Sequence, residues 1–176
     1  MTVYDTMPSP VGELLLAADD SGLTAICFEQ NRHSRDDRAG WTHVVNAPGV
    51  AARVIADARA QLAAYFTGER TTFDLPLSAG GTPFQQRVWA TLRDIPFGQT
   101  ISYAELACRV GNPLAVRAVG GANGKNPLPL VVPCHRVIGA DGSLTGFGGG
   151  MERKQWLLAH EGAWRAAPEL SLHSTR

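Results

Sequence analysis

The sequence predicts an α/β protein in two parts: a small N-terminal α/β domain with an antiparallel sheet, and a mostly helical C-terminal domain containing a helix-turn-helix. Three observations carry this. Before residue 30 the apolar residues fall in short runs separated by turn chemistry, which is a strand pattern. From residue 82 onward, helix-opening signatures recur at close intervals, and two short helical segments meet around Gly111-Asn112. The expected units are 1–80, 81–163 and a loose tail, 164–176.

Residues 3–7, 14–18 and 23–28 are short apolar or alternating runs separated by Pro8-Ser9-Pro10-Val11-Gly12 and Asp19-Asp20-Ser21-Gly22, so three antiparallel strands are expected. The polar stretch 30–40 reads as a loop. Over 50–66, Val54, Ala58, Leu62 and Tyr65 recur at helical spacing, and Gly68 follows as a stop. Thr82-Pro83-Phe84-Gln85 combines a capping threonine, proline at the first helical position and glutamine three residues after the cap, so a helix should run to about Asp94. Ser102-Tyr103-Ala104-Glu105 is a second capping box, opening a helix that stops at Gly111. Asn112-Pro113 should start the next helix, through Arg117 to about Asn123, with Gly124 as terminator. Residues 126–133 read as a proline-stiffened extended segment leading into Cys134, and Asp141-Gly142 as a hairpin turn after Val137-Ile138. Gly146 to Gly150 form a glycine-rich loop, and 151–161 a final helix closed by Gly162.

The 44% hydrophobic content argues against disorder, and no apolar run approaches the roughly 20 residues of a membrane helix. No basic start followed by an apolar stretch marks a secretory signal, so a cytoplasmic address is expected. Three cysteines, Cys27, Cys108 and Cys134, are too few and too scattered for a disulfide framework or a cysteine-rich zinc site. The net charge is zero but uneven: residues 1–82 hold 6 basic and 10 acidic side chains, and residues 83–162 hold 8 and 5. That asymmetry is compatible with a face that meets phosphates.

Cys134 is followed directly by His135. Cysteine is a nucleophile only as thiolate, which requires a cationic neighbour or a base in reach. Adjacent residues of a strand point to opposite faces, so a strand would need a bridging water between sulfur and imidazole. Taken alone, a Cys-His pair is more often structural than catalytic, and two short helices so joined are more often an αα corner than a DNA-binding motif. The glycine-rich loop departs from GxGxxG and lacks a βαβ context, so it suits a lid or a close backbone approach to a ligand better than a dinucleotide site.

Ile101-Ser102-Tyr103, Arg117-Ala118-Val119-Gly120-Gly121-Ala122-Asn123, Gly124-Lys125-Asn126-Pro127 and above all Val132-Pro133-Cys134-His135-Arg136-Val137-Ile138-Gly139 resemble the O6-alkylguanine-DNA alkyltransferases. The likeness continues through Leu144-Thr145-Gly146-Phe147-Gly148-Gly149-Gly150 and Lys154 to Gly162. It extends more loosely to Ser9-Pro10-Val11-Gly12 and Tyr65-Phe66-Thr67-Gly68. The resemblance implies a ribonuclease H-like N-terminal domain and direct-reversal DNA repair, in which an alkyl group on guanine O6, or on thymine O4, passes once to the protein's own cysteine. By that likeness Cys134 is the acceptor, His135 its base through a water, Glu161 the carboxylate that orients His135, Tyr103 a proton donor to the leaving base, and Asn126 a tie between the helix-turn-helix and the active-site segment.

The same resemblance makes Arg117 the residue that fills the gap left by a flipped nucleotide. Ser102, Tyr103, Ala118, Gly120, Gly124 and Arg136 stand with it at the DNA, while Pro133, Val137, Phe147, Gly148 and Gly149 line the alkylguanine pocket. Small side chains at Ala115, Ala118, Gly120, Gly121 and Ala122 suit close approach to a minor groove. Phe147 stands where many relatives carry tyrosine. Cys27, His33 and His43 do not make up the zinc set of some relatives, so no metal and no cofactor are expected. The implied partner is double-stranded DNA carrying O6-alkylguanine, bound by a monomer, with cooperativity on DNA left open. The rivals are a non-enzymatic helix-turn-helix module and a cysteine hydrolase.

Overall fold

The computed structural model describes residues 1–29 and 38–164; most of the expected 30–40 loop, His33 and nearly all of the tail lie outside them. Strands β1 (Val3–Met7), β2 (Leu14–Asp19) and β3 (Gly22–Phe28) form the expected antiparallel meander. A two-residue strand, β4 (Thr42–His43), adds to β1 in parallel and gives the order β3-β2-β1-β4. Two residues have no readable periodicity, so nothing in the sequence announced it.

Alternation along the strands decides which face is buried by what. Val3, Met7, Leu14, Leu16, Ile26 and Phe28 belong to the main core. Leu15, Ala17 and Cys27 turn to the other face with Tyr4 and Trp41. Helix α1 (Val50–Phe66) covers the core face with Val54, Ala58, Leu62 and Tyr65, the stripe the spacing predicts. At Gly22 (φ +149°) the backbone passes so close to Pro76 that an added Cβ would lie 2.6 Å from its carbonyl group, which seats the chain leaving α1 against the sheet.

Helix α2 (Pro83–Leu92) has the full capping box at Thr82 and Gln85 and stops two residues before the expected Asp94. Helix α3 (Tyr103–Val110) is capped at Ser102, but the box is one-sided. Glu105 turns away to pair with Arg109 at 2.7 Å, one helical turn along. Gly111 ends α3 in the left-handed conformation (φ +96°). Helix α4 (Val116–Gly124) starts three residues after Pro113, because Asn112 to Ala115 close a separate turn through Ala115 N–H to Asn112 O. Gly124 lies within the helix, and Lys125 is its cap.

The expected hairpin after Val137-Ile138 is corrected. Asp141-Gly142 does make a turn, with Gly139 N–H donating to Ser143 O, but no returning strand follows. Instead β6 (Val137–Ile138) pairs in parallel with β5 (Ile101–Ser102), joining the Cys134 segment to the start of α3. Helix α5 (Met151–His160) closes the fold, with Glu161 as its C-terminal cap. Among the described residues, no helix is long and apolar enough to cross a membrane.

Candidate active site

Pro133 (φ −81°, ψ 66°) does not hold the chain extended through Cys134. It leads into one 3₁₀ turn, Cys134–Arg136, and all three residues of that turn are buried. A strand would have sent His135 to the face opposite Cys134; the turn brings both inward. Cys134 is 5% exposed. Burial pushes its thiol above the ordinary value, while a hydrogen bond from Asn126 and the nearby Lys154 ammonium pull it down. Asn126 also pins the preceding segment, donating to Val132 O at 2.8 Å and accepting from Leu128 N–H at 3.0 Å.

His135 Nε2 donates to Glu161 Oε1 at 2.9 Å, with both side chains fully buried. That bond leaves Nδ1 as the proton-accepting nitrogen, and Nδ1 is buried with no hydrogen-bond partner among the described residues. Burial holds the imidazole below its ordinary pKa against the opposing pull of Glu161, so the neutral base form is favoured. Burial would push Glu161 up. Hydrogen bonds from His135 and Arg136, with the Arg136 charge, outweigh it and hold the carboxyl at about 2.

Arg136 is where sequence reasoning needs correcting. Expected at the DNA, it lies inside, 5% exposed. Its Nε and Nη2 bond Glu161 at 2.9 and 2.7 Å, and its Nη1 bonds Ile95 O at 2.7 Å. A guanidinium so committed is not offered to a phosphate.

Tyr103 opens α3, and its hydroxyl donates to Thr145 O at 3.0 Å. Burial raises its phenol pKa, so the hydroxyl keeps its proton. Gly120 and Gly146 pass close to it: added Cβ atoms would lie 3.7 Å from the Tyr103 ring and 3.5 Å from its hydroxyl, respectively. Ser102 accepts from Glu105 N–H and so serves as a helix cap. The outer face of α4 carries Arg117, Ala118, Gly121 and Gly124, all exposed, while Val119, Ala122 and Asn123 face inward.

The expected pocket residues divide. Pro133 and Val137 are buried beside Cys134. Phe147 packs edge-on against Phe28 of β3 at 5.6 Å, and a Cβ on Gly149 would strike both rings, so this end of the glycine-rich loop is seated on the sheet. Gly148 stays exposed near the end of α4. His43 caps the turn at Val44–Asn46 and lies 3.3 Å from Asp5. Among the described residues, no cluster of three or more His, Cys, Asp or Glu could hold a metal ion.

Two site residues escape the sequence reading. Lys154 is fully buried; its Nζ donates to Val137 O at 2.6 Å and Thr145 O at 3.0 Å, and burial pushes its pKa down to about 8. A signal was available, since Lys154, Leu157, Leu158 and Glu161 lie at i, i+3, i+4 and i+7, which puts two charged groups on an apolar stripe. Tyr65 donates its hydroxyl to Glu161 Oε1 at 2.9 Å. Its place in the apolar stripe of α1 looked like ordinary core.

Two family models divide the chain: "6-O-methylguanine DNA methyltransferase, ribonuclease-like domain" matches residues 2–79, and "6-O-methylguanine DNA methyltransferase, DNA binding domain" matches residues 83–163. The chain is 50% identical over 161 residues to a methylated-DNA–protein-cysteine methyltransferase of Mycolicibacterium paratuberculosis, covering 92% of this chain and 93% of that protein. It is 47% identical over 160 residues to the constitutive enzyme of the same name in Bacillus subtilis, covering 90% and 94%. Among solved structures, the O6-methylguanine methyltransferase of Mycobacterium tuberculosis aligns with a TM-score of 0.82 at 48% identity, over 98% of this chain and 99% of that one. The OGT of that organism in complex with DNA aligns with a TM-score of 0.81 at 47% identity, over 92% and 93%.

Proposed function

The chain belongs to the 6-O-methylguanine DNA methyltransferase family, whose members repair DNA by moving an alkyl group from guanine O6 to a protein cysteine, and we propose that Cys134 is the acceptor here. The observation that carries this reading is the buried pair beside the thiol: His135 donates Nε2–H to Glu161 and keeps Nδ1 unpaired. Nucleophilic catalysis needs that order of nucleophile, base and orienting group.

Through a bridging water, His135 Nδ1 takes the thiol proton. The sulfur then attacks the alkyl carbon, an S–C bond forms, the C–O6 bond breaks, and its electron pair stays with the guanine. Lys154, whose charge already lowers the thiol pKa, steadies the thiolate as it forms. Tyr103, protonated and at the edge of the site, supplies a proton to the departing base. The product is a thioether, which water cannot cleave, so each molecule acts once.

A lesion stacked in a duplex cannot reach the sulfur of a cysteine buried as Cys134 is, so the nucleotide must be flipped out, at a cost of about a few kcal/mol. We assign the filling of the vacated stack to Arg117, on the exposed face of α4. Arg117→Ala should lower the alkylation rate on duplex DNA by about tenfold or more while changing transfer from a free O6-alkylguanine base by less than about twofold. Equal losses in both assays would remove Arg117 from flipping. A thiol acceptor needs a reducing compartment, which supports a cytoplasmic address.

The direct test is intact-protein mass spectrometry after mixing with a duplex containing one O6-methylguanine, followed by peptide mapping. One methyl per protein, on Cys134, is expected. Binding without mass change would leave a lesion-binding module and make Cys134 structural.

A further inference from the structure

Glu161 is held from both halves of the chain, and one of its donors comes from the N-terminal half, 96 residues away. We propose that Tyr65 is a positioning residue for the alkyl transfer: its hydroxyl fixes the carboxylate oxygen that orients His135 and limits how strongly that oxygen draws a proton onto the imidazole. The inference rests on the reading of His135 as the base.

Packing alone explains the ring but not the hydroxyl. Tyr65 lies in the last turn of α1, is fully buried, and is enclosed by Phe66, Phe73, Phe97 and His160, with ring centroids 5.1 to 6.1 Å away. Phenylalanine would fill that space as well. A buried phenol must find an acceptor, and this one is aimed at Glu161 Oε1, the same oxygen that takes His135 Nε2 and Arg136 Nη2. Burial and the neighbouring carboxylate push the phenol pKa upward, so the group remains a donor throughout the physiological range.

Donors from three residues converge on one oxygen, Arg136 through both Nη2 and Nε, and each weakens its hold on the others. Removing the Tyr65 hydroxyl has two effects. The carboxylate loses one of the fixed points that aim it at His135, and more of its charge faces Nε2. Around His135, Glu161 favours the charged imidazolium, Arg136 and Lys154 oppose it, and Cys134 is the adjoining thiol. Around Tyr65, the charged or titratable neighbours are Glu161, Arg136 and His160. With the other groups unchanged, freeing Oε1 raises the proton affinity of His135. The neutral, proton-accepting form is then reached only at higher pH.

Tyr65→Phe is the test, read in two ways: titration of His135 by NMR of ring-labelled histidine, and the rate of methyl transfer to the protein against pH. The His135 midpoint should rise by about one pH unit, the acidic limb of the rate profile should move up with it, and the plateau rate should fall roughly 3- to 30-fold. Placing 3-fluorotyrosine at position 65, a stronger donor of nearly the same shape, should move the limb downward. Phe66→Leu, which disturbs the same aromatic group without touching Glu161, should leave the limb where it is. A limb and a midpoint that stay in place in both Tyr65 variants would overturn the proposal. If the wild-type protein gains no methyl but the His135 midpoint still shifts, the positioning by Tyr65 stands and the alkyl-transfer reading falls.

Discussion

Cys134→Ala will gain no methyl from O6-methylguanine duplex, a loss of at least roughly 10³-fold in rate, while its affinity for the same duplex stays within about twofold. The loss is total because no other thiol can substitute. Cys108 is exposed on α3 whereas His135 is fully buried, and Cys27 is buried on the opposite face of the N-terminal sheet, so neither takes the place of Cys134. Affinity is retained because the groups assigned to the duplex lie on the outer face of α4, whereas the thiol lies beneath it. Removing one buried sulfur should lower stability by only about 1 kcal/mol, so the variant can be compared as a folded protein. Intact mass read alongside fluorescence anisotropy with labelled duplex separates the two quantities. Methyl gain in the variant would relocate the acceptor.

Glu161→Gln should be the most damaging single exchange for stability, with a loss of about 3–5 kcal/mol, and should slow methyl transfer by about 100-fold or more. The carboxylate receives donors from His135, Arg136 and Tyr65. A carboxamide leaves the guanidinium buried without a counter-charge and turns an N–H₂ toward groups that are themselves donors. The pH dependence carries its own signature. Glu161 is held at about 2 against an ordinary 4.5, so its contribution, about 3 kcal/mol, is fully present above 4.5 and is lost as pH falls toward 2. Denaturant midpoints measured between pH 6 and pH 3 should fall for the wild type and change less for the variant. A variant within about 0.5 kcal/mol of wild type at pH 7 would mean that Arg136 finds another counter-ion.

Much of the fold was legible because the elements that place the site are governed locally. Helix α1 announced itself by the spacing of Val54, Ala58, Leu62 and Tyr65, and α2 by a capping box that forms as expected. The errors fell where local chemistry admits two outcomes. Asn112-Pro113 has the form of a cap and first helical residue, yet it closes a turn before α4, and Pro133 has the form of an extended residue, yet it opens the 3₁₀ turn. The site was less legible than the fold. His135 and Glu161 are 26 residues apart, and nothing in their spacing brings them together; the family likeness did. The likeness puts Arg136 at the DNA, and a positive charge in a sequence does not reveal that it has a buried partner. Lys154 is legible only as a charge on the apolar stripe of α5, which does not reveal the carbonyls that hold it.

The outer face of α4 has a further consequence. Beside Arg117, which we assign to the vacated stack, Ala118, Gly121 and Gly124 offer only methyl groups and bare backbone, and none of the three can make the paired hydrogen bonds to base edges that distinguish one sequence from another. Such a surface cannot be directed to an address. On the assignment of this face to the duplex that we propose, every stretch of intact genome would compete for it on nearly equal terms, and the damaged base would be sorted from its neighbours after contact, by whether it can be extruded and seated. The time needed to find one lesion is then set by the number of copies inspecting the chromosome and by how briefly each rests on undamaged sites.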